Sequence, residues 1–100
     1  MNITIHSVHF DADQKLEKFI TSKVGKLGQY IDGVISAEVF LRLEKSQTPE
    51  NKITEIKMKV RGGDFFVKKQ CRTFEEATDQ SIDALKKQII KHKEKKYKSL

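Results

Sequence analysis

The sequence predicts an α+β fold of order β-α-β-β-β-α, a four-stranded sheet with both helices on one face. Three observations predict it. Four short segments alternate apolar and polar residues with a period of two, as half-buried strands do. Two longer segments repeat apolar residues at helical spacing, as amphipathic helices do. Turn and capping residues stand between these segments, so the periods do not run together.

The first strand is residues 2–8, a β-branched run in which Ile3 and Ile5 alternate with polar neighbours. Asp11 or Asp13 then offers a carboxylate to cap a helix. In that helix Leu16, Phe19, Ile20, Val24, Leu27, Tyr30 and Ile31 fall on one stripe, and Asp32-Gly33 closes it. Residues 35–44 form the second strand. Val39, Leu41 and Leu43 share one face; Glu38, Arg42 and Glu44 share the other, with Phe40 among them. Residues 46–51 hold the only proline, Pro49, and read as a loop. Residues 53–61 make the third strand, with Ile56, Met58 and Val60 opposite Glu55, Lys57 and Lys59. Gly62-Gly63 signals a tight hairpin, because glycine accepts the positive φ of two-residue turns. Residues 64–71 return with Phe65, Val67 and Cys71 on one side. Thr73 with Glu76 three residues on has the form of a capping box. The final helix runs from about 74 to 96, with Phe74, Ala77, Thr78, Ile82, Leu85 and Ile89 on its apolar stripe. A helix joins the first two strands, so that pair is parallel with a right-handed crossover. The last three strands form an antiparallel meander.

Composition narrows the function. One hundred residues, 37% of them hydrophobic, fit one small domain over 1–100 with a modest core. The single cysteine, Cys71, excludes an internal disulfide and a cysteine-based zinc site. His6, His9 and His92 lack the spacing of a metal-ligand set. Cys71, at the end of a strand, reads as structural rather than nucleophilic. No glycine-rich phosphate motif precedes a helix. The residues thus predict neither enzyme nor cofactor nor metal. No long apolar run or cleavable leader is present, so a soluble cytosolic protein without a membrane partner is expected. Phe40 and Phe66 on the open sheet face stand among Glu38, Glu44, Ile53 and Glu55, which argues against base stacking there. Partial burial under a loop accounts for the two rings better.

The charge is concentrated. The formal net charge is +6, and residues 83–100, with seven lysines and two acids, carry +5 of it. Lys87, Lys91, Lys95 and Lys98 lie within roughly an 80° arc of the last helix, away from its apolar stripe. Like charges four residues apart destabilise an isolated helix by a few tenths of a kcal/mol each, so the arc points to an anionic partner. Lys86 and Lys93 sit nearer the core side and must snorkel. On the first helix Lys15, Lys18, Ser22, Lys26 and Gln29 form a second polar arc, while Lys23 falls on the apolar side and must reach out at an edge. Side by side, the two helices would flank a shared basic groove. From the residues alone, a duplex-RNA module and a basic protein-interaction module both remain open.

Three segments carry a family resemblance. They are Lys23-Val-Gly-Lys-Leu-Gly-Gln-Tyr30, Thr73-Phe-Glu-Glu-Ala-Thr-Asp79 and Asp83-Ala-Leu-Lys-Lys-Gln-Ile-Ile-Lys-His-Lys-Glu-Lys95. In this order and layout the chain resembles the short form of the bacterial ribosome hibernation promoting factor and ribosome-associated inhibitor (protein Y) family, along essentially its whole length. The resemblance implies a double-stranded-RNA-binding-like fold with an added first strand. It implies a non-catalytic inhibitor bound to small-subunit rRNA at the decoding region, blocking mRNA and tRNA and preserving idle ribosomes in stationary phase or stress. Carried over by position, Lys23 and Lys26 of the first helix and Lys87, Lys91 and Lys95 of the second meet rRNA phosphates, with Lys86, His92 and Lys93 as neighbours. Lys87 stands where arginine is usual in the family, a point charge in place of a planar fork. No second domain or long acidic tail is expected after residue 100. A monomer off the ribosome is expected. The resemblance leaves open whether the protein locks single ribosomes or pairs them with a separate ribosome-dimerising factor.

Overall fold

The computed structural model describes residues 1–45 and 47–98, with side chains through Lys93. Its elements follow the sequence periods: β1 (Asn2–Val8), α1 (Gln14–Tyr30), β2 (Val34–Leu43), β3 (Lys52–Val60), β4 (Gly63–Cys71) and α2 (Phe74–Lys98). The sheet order is β1-β2-β3-β4. β1 pairs with β2 in parallel, from Asn2 opposite Ser36 to Val8 opposite Arg42. The other two pairings are antiparallel, so β1, β2 and β4 run one way and β3 the other.

Local chemistry sets the helix starts. The Asp13 side chain accepts a hydrogen bond from the Leu16 N–H at 2.8 Å, and Thr73 Oγ1 accepts from the Glu76 N–H at 3.1 Å. Each satisfies a helix donor that has no intrahelical partner. Gly33 at φ +86° follows α1, and its carbonyl accepts the Arg61 N–H at 2.8 Å, tying the α1–β2 link to the β3–β4 turn. A Cβ at Gly33 would also lie 3.2 Å from Arg61 Cβ. The hairpin turn is Arg61-Gly62 rather than Gly62-Gly63, because Val60 pairs with Gly63. Gly62 takes the left-handed conformation at φ +90° in its second position, and Gly63 opens β4.

Both helices cover the sheet face that carries Ala37, Val39, Leu41, Ile56, Met58, Val60 and Val67. From above, α1 contributes Ile20, Val24 and Leu27, and α2 contributes Phe74, Leu85 and Ile89. Burying each such side chain is worth about 1.5–3 kcal/mol. Thr54 on β3 and Thr78 on α2 are fully buried, and their hydroxyls meet at 3.4 Å, so neither polar group is stranded. Ser81 is buried as well and donates to the Ala77 carbonyl at 2.7 Å. Leu43, expected on the core face, is 46% exposed because it ends β2 beyond the helices' cover.

The opposite face is open. Phe40 is covered there not by a loop but by His6, whose ring stacks on it at 4.8 Å, and by the Arg42 guanidinium at 5.9 Å. Phe66 stays half exposed. No helix among the described residues is long and apolar enough to cross a membrane.

Candidate nucleic-acid interface

The two helices lie side by side and run in the same direction. Three contacts cross between their segments in matching order. Phe10, just before α1, stacks on Phe74 at 5.1 Å. Lys23 Nζ stands 3.4 Å from Asp79 Oδ1. Lys86 Nζ sits over the Tyr30 ring, 4.9 Å from its centroid. The steps from 23 to 30 and from 79 to 86 are equal, which fixes the parallel register. A parallel pair brings both C-terminal halves to one end of the molecule. The acids Glu17, Glu75 and Glu76 occupy the first turns at the other end, where they complement the helix dipoles. The lysines of α2 concentrate near its C-terminus, where cations suit the dipole.

At the basic end, Lys26, Lys86, Lys87 and Lys91 are exposed. So are Lys15, Lys18, Ser22 and Gln29 of the α1 arc. None of these lysines has a carboxylate within ion-pair distance among the described residues, which leaves their charge available to a partner. Lys93 snorkels as expected: half-buried, it sends its ammonium 3.2 Å from the Asp32 carbonyl, bracing the end of α1 against α2. Lys86 reaches solvent along the Tyr30 ring.

Two expected contact residues have prior engagements. Lys23 is half-buried and shares its charge with Asp79. The His92 ring points toward the sheet, edge-on to Phe65 with centroids 5.4 Å apart. Lys95 lies on α2, but its side chain falls outside the described residues, as does that of Lys98.

Tyr30 corrects the sequence reading. Its spacing put it on the buried stripe of α1, yet it is 75% exposed. Ile31, expected on the same stripe, is buried, where the backbone turns extended as α1 ends. Helical spacing alone therefore hides an aromatic ring in the basic seam. Its place in the last turn, just before Asp32-Gly33, was the available signal.

Other chemistry is sparse. The Cys71 thiol is buried, and that burial, with Glu76 and Glu50 adding and Lys69 opposing, pushes its pKa up, away from a reactive thiolate. No group of three or more His, Cys, Asp or Glu among the described residues is placed to hold a metal.

Comparison with known proteins gives this surface a context. The ribosome hibernation promoting factor of Salmonella typhimurium is 32% identical over 95 residues, spanning 95% of this chain and 94% of its own. The factor of the same name from Escherichia coli K12 matches at 32% over the same share of each chain. Among solved structures, a ribosomal subunit interface protein from Coxiella burnetii superposes with a TM-score of 0.82 over 93% of this chain and 98% of its own, at 17% identity. The N-terminal domain of Thermus thermophilus Protein Y does so with a TM-score of 0.76 over 89% and 96%, at 24% identity. These two likenesses speak to the fold. The model of the family described as Sigma 54 modulation protein / S30EA ribosomal protein matches residues 3–97. A parallel helix pair on a four-stranded sheet, and relatives alike along nearly their whole length, lead to one conclusion: the chain belongs to this Sigma 54 modulation protein / S30EA ribosomal protein family.

Proposed function

We propose that the protein is a non-catalytic, cytoplasmic inhibitor of translation that binds the small ribosomal subunit and keeps idle ribosomes intact, as a hibernation factor. Residues 1–100 act as one ribosome-binding domain, monomeric off the ribosome. The observation that carries the reading is the parallel helix pair, whose shared basic end presents Lys26, Lys86, Lys87 and Lys91 without carboxylate partners. Family membership supplies the ribosome as the target.

The mechanism follows from charge and shape. The lysines neutralise rRNA phosphates at the decoding region and release condensed counterions. Phosphate contacts position a protein without reading sequence, so site selection comes from the shape of the ribosomal channel. A rigid sheet behind the helices then fills the path of mRNA and tRNA. Lys87, Lys91 and Lys95 are the principal contacts, joined by Lys26 and Lys86. Lys23 takes part once its ammonium leaves Asp79. Lys93 holds α2 against the end of α1, and His92, exposed on α2 with its ring edge-on to Phe65 of β4, borders the contact surface.

Co-sedimentation with purified ribosomes tests this. Wild type is expected in the ribosome pellet and is displaced by initiator tRNA with mRNA. Lys87→Glu, Lys91→Glu and Lys95→Glu together leave the protein in the supernatant with an unchanged circular dichroism spectrum. A variant that still pellets overturns the reading. Wild type that pellets equally with tRNA present moves the site away from the decoding channel.

A further inference from the structure

We propose that Tyr30 is a stacking platform for an unpaired RNA base, which makes the interface selective for looped or flipped nucleotides over continuous duplex. The inference rests on the RNA-binding reading above and adds to it a ligand geometry.

The ring is a large aromatic surface left 75% exposed, while the rest of the apolar stripe of α1 is buried or half-buried. Lys86 occupies one side, its ammonium 4.9 Å from the ring centroid. That contact takes up one side of the ring, and its 75% exposure leaves aromatic surface for a second ligand. Lys26 stands one turn earlier on the same side of α1, and Lys86 borders the ring from α2. An open π-face bordered by ammonium groups is the arrangement with which proteins hold single-stranded nucleotides: the base stacks and the flanking phosphates meet the cations. A-form duplex offers no free base face, so it gains from the lysines alone. Lys93, braced on the Asp32 carbonyl, fixes the end of α1 and with it the position of the ring.

The test compares two RNAs of equal phosphate number, a hairpin with an unpaired loop and a blunt duplex, by fluorescence anisotropy at low salt. Wild type is expected to prefer the hairpin. Tyr30→Leu weakens hairpin binding about tenfold, the scale of losing one stacked base, and leaves duplex binding within about twofold. Tyr30→Phe recovers the hairpin preference, because the ring and not the hydroxyl stacks. Loss of both RNAs by Tyr30→Leu would mean that the ring only positions Lys86, and would overturn the proposal. So would a Tyr30→Leu protein that binds both as wild type does, or a wild type without preference. Lys87→Glu with Lys91→Glu separates the two levels. If that variant loses both RNAs while Tyr30→Leu is indifferent, the lysine reading stands and the stacking falls. If it loses neither, the lysine reading itself falls.

Discussion

Asp79 holds Lys23 across the helix seam at 3.4 Å. Both side chains are about half exposed to solvent, so the pair contributes little to stability. Asp79→Asn is therefore expected to change unfolding free energy by less than about 0.5 kcal/mol. It also removes a charge that repels phosphate and frees Lys23, so small-subunit affinity rises by about two- to fivefold, read by quantitative co-sedimentation. Unchanged affinity would place Lys23 outside the interface. At Cys71 the burial and the neighbouring carboxylates predict slow chemistry: a disulfide exchange reagent labels the native thiol on the order of tenfold more slowly than the unfolded one. Equal rates would contradict the packing at the end of β4. Much of this scale was legible in the sequence. The edge position of Lys23, the snorkelling of Lys93 and the structural cysteine all follow from side-chain chemistry at a known wheel angle. Tyr30 was legible only from its place in the last turn before Asp32-Gly33, because a wheel gives direction but not where the backbone leaves the helix. The His92 ring contact was also hidden, since it depends on the β3–β4 hairpin rising beside α2.

The elements rest on caps and on one apolar stripe each. Thr73 accepts the Glu76 N–H, and Thr73→Ala is expected to cost about 1 kcal/mol in denaturant unfolding. Leu85 is fully buried in the core shared by α2 and the sheet. Leu85→Ala should cost about 2–5 kcal/mol through the cavity it leaves. A loss under about 0.5 kcal/mol would mean that α2 is rotated about its axis relative to this packing. Element order, strand pairing and both helix stripes were readable, because period two and period 3.6 do not overlap in this chain. The turn was misplaced by one residue because either glycine of a Gly-Gly pair accepts a positive φ. Pairing of Val60 with Gly63 decides between them. Thr54 and Ser81 fall on the core side of their periods, but their polar side chains gave no sign of burial; they are tolerated because each finds an oxygen partner.

At the scale of the molecule, parallel helices turn a modest net charge of +6 into a strongly polarised body. Acidic first turns lie at one end and the lysine-rich half of α2 at the other. That layout was half legible. The sequence located the charge in the last eighteen residues, but the register that sets Tyr30 beside Lys86 and Lys23 beside Asp79 is tertiary. If these lysines bind rRNA by displacing counterions, affinity must fall steeply with salt. The most direct measurement is small-subunit affinity as a function of salt, for wild type and for Lys91→Ala. With ~6 phosphate contacts, wild-type affinity is predicted to fall about a thousandfold between 50 and 200 mM salt. Lys91→Ala should be weaker at low salt, with a log–log slope shallower by about one. A flat wild-type dependence, or a Lys91→Ala slope equal to wild type, would contradict the account.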